Sequence, residues 1–254
     1  MIGGACYGVI QIFKRVEKKY LLNEEQYAEL NDILLAHMSE DIYGLHTICN
    51  VYYDTEDYEL IRRSMEKPYY KEKFRIRSYG VPAEDDIIFL EIKKKCNGVV
   101  YKRRVPFRYR IAMNILDEIM TGGRLYGNRF IEHGIGLEEY ENMQILHEIE
   151  YVINHYGLSP KSYIAYDRTA LFGKEDLGLR ITFDRNIRTR FDALTLADGD
   201  RGNVILQPGL YLMEIKTNGS MPMWLATTLS AMKIYPYSFS KYSNAYKTNL
   251  EGVV

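Results

Sequence analysis

The sequence predicts an α+β fold: an eight-stranded antiparallel β-barrel, closed into a tunnel, with helices packed outside. Three observations lead there. Eight segments read as strands, and most alternate charged and apolar residues with the period of two that a half-buried strand requires. Asn97-Gly98 separates two of these segments and is the two-residue signal of a tight hairpin. Amphipathic strands in this number must hide their edges, and closure does so. Eight strands leave room for one small ligand.

The elements follow in order. Gln11 to Leu21 reads as a strand, with Arg15, Glu17 and Lys19 on one face. Asn23 is an N-cap for a helix from Glu24 to about His37. Thr47 to Asp54 is a strand rich in β-branched and aromatic residues, and Tyr58 to Met65 a short helix. Strands follow at Lys71 to Tyr79, Ile87 to Lys95 and Val99 to Tyr109. Ile111 to Met120 is a helix ended by Gly122-Gly123. Leu137 to Tyr156 is a second long helix, stopped by Gly157 and Pro160. Ser162 to Phe172, Leu179 to Arg188 and Leu210 to Thr217 complete the strands. Pro222 to Lys233 reads as a helix with proline at its first turn. Tyr237 to Tyr246 carries no clear period and reads as irregular. Asp192 to Gly202 reads as a surface loop.

Composition narrows the function. The 254 residues suit one domain, 1–254, with residues 1–10 as a loose lead-in. The formal net charge of −1 argues against a nucleic-acid coat protein, which carries a large basic excess. Three cysteines, Cys6, Cys49 and Cys96, at scattered spacing give neither a disulfide framework nor a metal knuckle. A reducing, cytoplasmic location is expected, and no stretch has the length of a membrane span. His37, His46, His133, His147 and His155 fall in helices and loops and read as structural or surface residues.

The charged strand faces carry the chemistry. Lys73, Arg75 and Arg77 share one face, opposite Phe74 and Ile76. Glu91, Lys93 and Lys95 form a second stripe, continued by Lys102 and Arg104 across the hairpin. Tyr166 with Arg168, Arg180 with Thr182 and Asp184, and Glu214 with Lys216 form three more. Any one of these strands, taken singly, can present its charge to water. The predicted helices need the apolar faces, however, which turns the charged faces inward. Cations crowded in a confined space repel unless an anion lies among them. A chain of phosphates fits, since arginine forks and lysine point charges both recognise it. Glu17, Glu91, Asp184 and Glu214 are interleaved with the cations, as salt-bridge partners or as ligands for a divalent ion. Glu214, beside Lys216 on the last strand, is the first choice for the metal, with Glu17 and Glu91 behind it.

These residues resemble a family. Arg15-Val-Glu17-Lys-Lys19-Tyr20 looks like the E-x-K strand that opens the triphosphate tunnel metalloenzymes, a CYTH-like superfamily. The closer likeness is to their polyphosphate-polymerase branch, the vacuolar transporter chaperone (VTC) domain. It runs in order through Tyr52-Tyr53-Asp54-Thr55, Phe74-Arg75-Ile76-Arg77-Ser78-Tyr79-Gly80, Phe89-Leu90-Glu91-Ile92-Lys93 and Tyr101-Lys102-Arg103-Arg104. It continues through Ser162 to Ala170, Leu179 to Asp184, Leu212-Met213-Glu214-Ile215-Lys216 and Phe239-Ser240-Lys241-Tyr242. The R-x-R, Y-x-R, late E-x-K and S-K-Y segments form the specific part of the set.

The resemblance implies a tunnel in which the γ-phosphate of ATP passes to a growing polyphosphate chain. By motif, Arg75, Arg77, Lys93, Arg168, Arg180 and Lys216 are expected at the reacting phosphates. Lys19, Lys73, Lys102, Arg104, Lys241, Tyr166 and Ser240 are expected to bind substrate, and Glu214 to hold Mn²⁺ or Mg²⁺. The expected partners are ATP or another triphosphate, and polyphosphate. Set against the eukaryotic assemblies of this family, the sequence is expected to be a stand-alone soluble version without an N-terminal inositol-phosphate-sensing domain. Two other outcomes use the same tunnel: hydrolysis of triphosphate or nucleoside triphosphate, and polyanion binding without catalysis.

Overall fold

The computed structural model describes residues 15–123 and 140–250. The expected lead-in, the start of the first strand, His133 and most of the glycine-rich stretch before the second long helix lie outside them. Ten strands form one antiparallel sheet: β1 (Arg15–Leu22), β2 (Met38–Glu40), β3 (His46–Asp54), β4 (Tyr70–Tyr79), β5 (Ile87–Cys96), β6 (Val99–Arg108), β7 (Ser159–Gly173), β8 (Arg180–Arg190), β9 (Asn203–Val204) and β10 (Tyr211–Asn218). Six helices accompany them among the described residues: α1 (Glu24–His37), α2 (Glu59–Met65), α3 (Tyr109–Met120), α4 (Tyr140–Tyr156), α5 (Met223–Ala231) and α6 (Lys241–Leu250).

Local chemistry sets the boundaries. Asn23 starts α1 with a complete capping box: its side chain accepts from the Gln26 backbone, and the Gln26 side chain returns the bond. The β5–β6 turn has positive φ at both Asn97 (46°) and Gly98 (81°), the conformation a tight hairpin demands. Gly157, at φ 63°, ends α4 while Leu158 N–H donates to the Ile153 carbonyl.

The long strands run in the order β1-β10-β8-β7-β3-β4-β5-β6; short β2 pairs with β7 and short β9 with β8. The expected closed barrel is therefore corrected to an open sheet among the described residues, with β1 and β6 as its edges. The β1 edge is covered: Tyr20 bridges to Pro236, and Tyr237 N–H donates to the Lys19 carbonyl at 2.7 Å.

The two faces divide as the alternation requires. On the outer face, Phe74, Ile76, Ile88, Leu90, Ile92 and Val105 pack against Ile115 and Leu116 of α3 and Ile149 and Val152 of α4. Beside them, Tyr20, Phe183, Met213 and Ile215 pack on Leu30 and Leu34 of α1 and Leu225 of α5. Each such buried side chain contributes about 1.5–3 kcal/mol, enough to fix which face is covered. A third cluster lies on the inner face, where Tyr242, Ala245 and Tyr246 of α6 meet Ile48, Tyr52, Ile164 and Leu212. The segment read as irregular is thus non-helical only to Ser240; from Lys241 it is a helix, whose buried positions 241, 242, 245 and 246 recur with helical spacing.

The sheet curls around this inner face. β1 and β4 are five steps apart in strand order, about 24 Å if the sheet were flat. Yet Lys19 on β1 is among the cations that depress the Lys73 ammonium on β4. Lys73 Nζ also stands 5.8 Å from the ring centroid of Tyr242, the residue after Lys241.

Candidate active site

The register places the predicted charges on one continuous face. Lys19 pairs with Glu214, Glu17 with Lys216, Glu214 with Thr182 and Lys216 with Arg180. Asp184 pairs with Arg168, Asn50 with Arg77, Tyr52 with Arg75, Arg75 with Glu91, Lys73 with Lys93, and Lys93 with Lys102. The inward turn expected from helix packing is what the side chains adopt.

One group forms on β4, β5 and β6 around Glu91, which is 2% exposed. Arg75 donates to Glu91 Oε2 through Nε at 2.9 Å and Nη2 at 2.7 Å, and through Nη1 to the Tyr52 hydroxyl at 2.7 Å. Lys102 Nζ lies 3.0 Å from Glu91 Oε1 and Arg77 Nε 3.8 Å from Oε2. Burial pushes the Glu91 carboxyl up, but Arg75, Arg77 and Lys102 outweigh it and hold it well below the usual range. Both oxygens of Glu91 thus face cations, so it serves as an ion-pair hub. Arg77 donates further to Asn50 Oδ1 at 2.9 Å and the Tyr166 hydroxyl at 3.3 Å. Arg104 lies over the Phe89 ring at 4.6 Å. Lys93 is exposed and Lys73 half-buried. Burial, then Lys71, Lys93 and Arg75, push Lys73 down to about 7.

The second group joins β1, β7, β8, β10 and α6. Arg168 grips Asp184 as a fork, Nε to Oδ1 at 2.6 Å and Nη2 to Oδ2 at 2.8 Å. Lys241 Nζ donates to the same carboxylate at 2.5 Å and to Glu214 Oε1 at 3.4 Å. Glu214 also meets Lys19 at 3.1 Å, Lys216 at 3.6 Å and Arg168 at 3.9 Å. Glu17, at the sheet edge, stands 3.8 Å from Lys216 and 3.9 Å from Lys19. Arg180 packs over Phe172 at 4.8 Å. Burial pushes the Glu214 carboxyl up, but Lys241, Lys19, Arg168 and Lys216 hold it far below the usual range. Tyr166 joins the groups: its hydroxyl accepts from Arg77, and Lys241 Nζ stands 4.4 Å over its ring.

Ser240 is set apart from this face. Its Oγ accepts from Ser243 N–H at 3.3 Å and its carbonyl takes the Asn244 backbone N–H, the pattern of a helix cap for α6. Two residues the strand stripes did not pick out hold the site together. Asp54, fully buried, accepts from the N–H groups of Thr55, Leu60 and Ile61 and from the Tyr242 hydroxyl at 2.8 Å. Tyr242 in turn stacks on Tyr52, the partner of Arg75, with ring centroids 4.5 Å apart. The Tyr-Tyr-Asp-Thr segment at 52–55 was the available signal. The described histidines stay outside: His37 stacks on Trp224, His46 bonds Gly44, His147 pairs with Glu150 and His155 stacks on Tyr151.

No group of three or more His, Cys, Asp or Glu side chains among the described residues could form a metal cage. Both oxygens of Glu214 also face cations, Lys19 and Lys241 on Oε1 and Arg168 and Lys216 on Oε2, so a hard divalent ion there would have to draw most of its ligands from phosphate and water. The oxygens beside it are those of Glu17, across Lys19, and of the buried Thr182 hydroxyl, which has no hydrogen-bond partner among the described residues.

The VTC domain profile matches residues 14–250. The chain belongs to the VTC domain family. A curated relative, the vacuolar transporter chaperone complex subunit 4 of Schizosaccharomyces pombe, is 24% identical over 196 residues, 72% of this chain. The chain spans 27% of that relative's length. Among solved structures, a candidate adenylyl cyclase from Hippeastrum described with a dominant triphosphatase activity superposes with a TM-score of 0.51 at 17% identity. That match covers 92% of this chain and 95% of the other. An adenylate cyclase candidate from Bacillus halodurans aligns over 89% of this VTC domain and 93% of its own chain, with a TM-score of 0.46 and 13% identity. The Hippeastrum likeness is one of fold. No described helix of this VTC domain is long and apolar enough to cross a membrane.

Proposed function

We propose that this VTC domain is a polyphosphate polymerase that transfers the γ-phosphate of ATP to a growing phosphate chain within the curl of the sheet, which acts as a tunnel. One observation carries the reading: the inward face concentrates cations beyond its carboxylates. Around Glu214 and Asp184, the four cations Lys19, Arg168, Lys216 and Lys241 face three carboxylates, counting Glu17. Around Glu91, three cations face one carboxylate, with Lys73 and Lys93 beside them. A polyanion relieves that excess, whereas a neutral ligand leaves it.

In the proposed reaction a terminal oxygen of the acceptor chain attacks the γ-phosphorus of ATP. The bond from that phosphorus to the β-phosphate bridging oxygen breaks, and ADP leaves with its electron pair. The attacking oxygen is already anionic, so the step needs no general base. Arg75, Arg77 and Arg168 orient the phosphates in line and offset charge on the transferring group. Exclusion of water from the curl once substrate is bound would favour a phosphate acceptor over hydrolysis. Glu214, with Glu17 and the Thr182 hydroxyl nearby, would hold Mn²⁺ or Mg²⁺, which supplies Lewis-acid polarisation of phosphate oxygens.

The test is incubation of the purified protein with ATP and Mn²⁺, with products resolved by length. Long phosphate polymers are expected. Free phosphate alone makes the chain a hydrolase, and unchanged ATP despite tight polyphosphate binding makes it a binding module.

A further inference from the structure

The β5–β6 hairpin ends in an apolar tip left open among the described residues. Val99 and Val100 are 48% and 50% exposed, Tyr101 is 56% exposed and Tyr69 is 69% exposed. Tyr69 belongs to the same surface, since its carbonyl accepts from Asn97 N–H in the turn at 3.0 Å. Tyr70 completes it: it pairs with Cys96, which pairs in turn with Val99. Apolar side chains gathered at one end of a sheet mark an interaction site, where the same residues scattered singly would not.

Cations collar this tip. One residue behind Val99, the register aligns Val100, Lys95 and Lys71 across three strands. Burial pushes the Lys71 ammonium down, and Lys95, Lys93 and Lys67 push it further, which places Lys67 beside the same row. The nearby carboxylates are committed elsewhere, Glu72 to Lys94 and Glu148 to Lys94 and Arg103, and exposed Glu66 adjoins Lys67 in the chain. The other end of these strands, about 30 Å away along β4, is a contrast. Ile42, Tyr43, Leu45, Tyr79 and Ile87 are exposed there. The charges beside them are Asp41, Glu84, Asp85 and Asp86, and Arg108 and Arg110 both pair with Asp85.

The combination of apolar tip and cationic collar selects the partner. A second copy meeting the tip head-on would set Lys67, Lys71 and Lys95 against their own counterparts. An anionic bilayer matches both parts. Apolar groups and tyrosine rings settle at the boundary of headgroups and acyl chains, about 5–10 Å deep. Lysine stems reach from there to the lipid phosphates. We infer that the β5–β6 tip, with Tyr69, docks this domain on an anionic phospholipid bilayer, with Val99, Val100 and Tyr101 in the headgroup boundary and Lys67, Lys71 and Lys95 against lipid phosphates. The attachment is peripheral and stands whichever reaction the inner face performs.

The experiment is sedimentation of the full chain with vesicles of phosphatidylcholine alone or of an equal mixture with phosphatidylglycerol. Wild type should bind the mixed vesicles, less as salt rises, and scarcely bind phosphatidylcholine alone. V99S/V100S leaves every charge in place and should bind about tenfold more weakly. K67Q/K95Q should lose about 20-fold, at roughly fivefold for each lysine near an anionic surface. I42S/L45S, at the acidic end, should match wild type. Tyr101→Trp should gain blue-shifted emission on the mixed vesicles over the background of Trp224, the chain's one tryptophan, which stacks on His37. A wild type that ignores the mixed vesicles overturns the inference, as does undiminished binding by V99S/V100S or an equal loss in I42S/L45S. If V99S/V100S does not fold, unchanged binding by K67Q/K95Q with unshifted Tyr101→Trp emission overturns it. Displacement from vesicles by tripolyphosphate assigns the lipid contact to the inner wall, and a dimer in place of vesicle binding assigns the tip to a second copy; either result overturns the inference.

Discussion

The two walls of the inward face are built from the same residue types and solve their charge problem differently. On the β1, β10, β8 and α6 side, Asp184, Glu214 and Glu17 are threaded among Lys19, Arg168, Lys216 and Lys241, so most cations already have a carboxylate within 4 Å. On the β4, β5 and β6 side, Glu91 alone serves Arg75, Arg77 and Lys102, while Lys73 and Lys93 stand opposite each other. The first wall is cross-linked by ion pairs. The second leaves like charges opposed. Under the proposed function, structural cross-linking and anion binding are divided between two halves of one sheet.

The largest effect should come from the paired wall. Glu214→Gln should lower turnover with ATP and Mn²⁺ by about 100-fold or more, as loss of a metal-binding carboxylate requires. In the absence of metal the same variant should bind tripolyphosphate at least as tightly as wild type, because the carboxylate competes with phosphate for four cations. Normal turnover removes the metal role; weaker metal-free binding removes the competition.

Next is Glu91→Gln. Removing one charge of a buried pair leaves Arg75 and Arg77 uncompensated and should cost about 3 kcal/mol of stability, read by denaturant unfolding. Saturating tripolyphosphate should restore most of that loss, since a ligand that binds only the folded form stabilises it. A loss that tripolyphosphate cannot restore would mean the cations are not presented to phosphate.

Asp54→Asn should cost about 1–3 kcal/mol, because it weakens the anchor of α6 and the start of α2. Its functional signature should be weakened triphosphate binding through Tyr242 and Tyr52, measured at a temperature where the variant is folded. Unaltered affinity would confine Asp54 to a structural role.

The smallest effect concerns pH and Lys73. Its folded pKa, about 7, lies below the ordinary lysine value of about 10.4. Between those values the unfolded chain binds a proton that the folded chain does not. This group therefore lowers stability as pH falls from about 10 to about 7, and the slope should flatten in Lys73→Met. A bound phosphate chain raises the Lys73 pKa, so at pH 8 binding should take up protons. Its affinity should decline as pH rises above 7. Calorimetry in buffers of different ionisation enthalpy reads the uptake; equal uptake by Lys73→Met would assign it to another group.

Much of this architecture was legible in the chain. The alternation Lys73-Phe74-Arg75-Ile76-Arg77 marks a strand with two unlike faces. The capping residues of α1 and the Asn97-Gly98 turn announce themselves because their chemistry is local. The stretch after Asp192 was harder. Arg190 bonds the carbonyls of Ala193, Thr195, Gly199 and Arg201, and Leu196 is buried in the outer core, so the loop is tied down from a strand. The helix at Lys241 was missed because its stability comes from Tyr242, Ala245 and Tyr246 packing on other strands, not from a strong local pattern.

What the sequence determined by itself was the existence of a charged face and an apolar face, since a side-chain period of two needs only the order of residues. What the tertiary structure decided was which cations remain in excess. Glu91 and Glu214 are the same residue type on the same kind of strand. Register and curvature give the first two arginines and a lysine, and the second three lysines and an arginine, one of them from α6. Ion pairing acts over a few ångströms through space between residues as much as two hundred positions apart, so only the folded sheet can settle it.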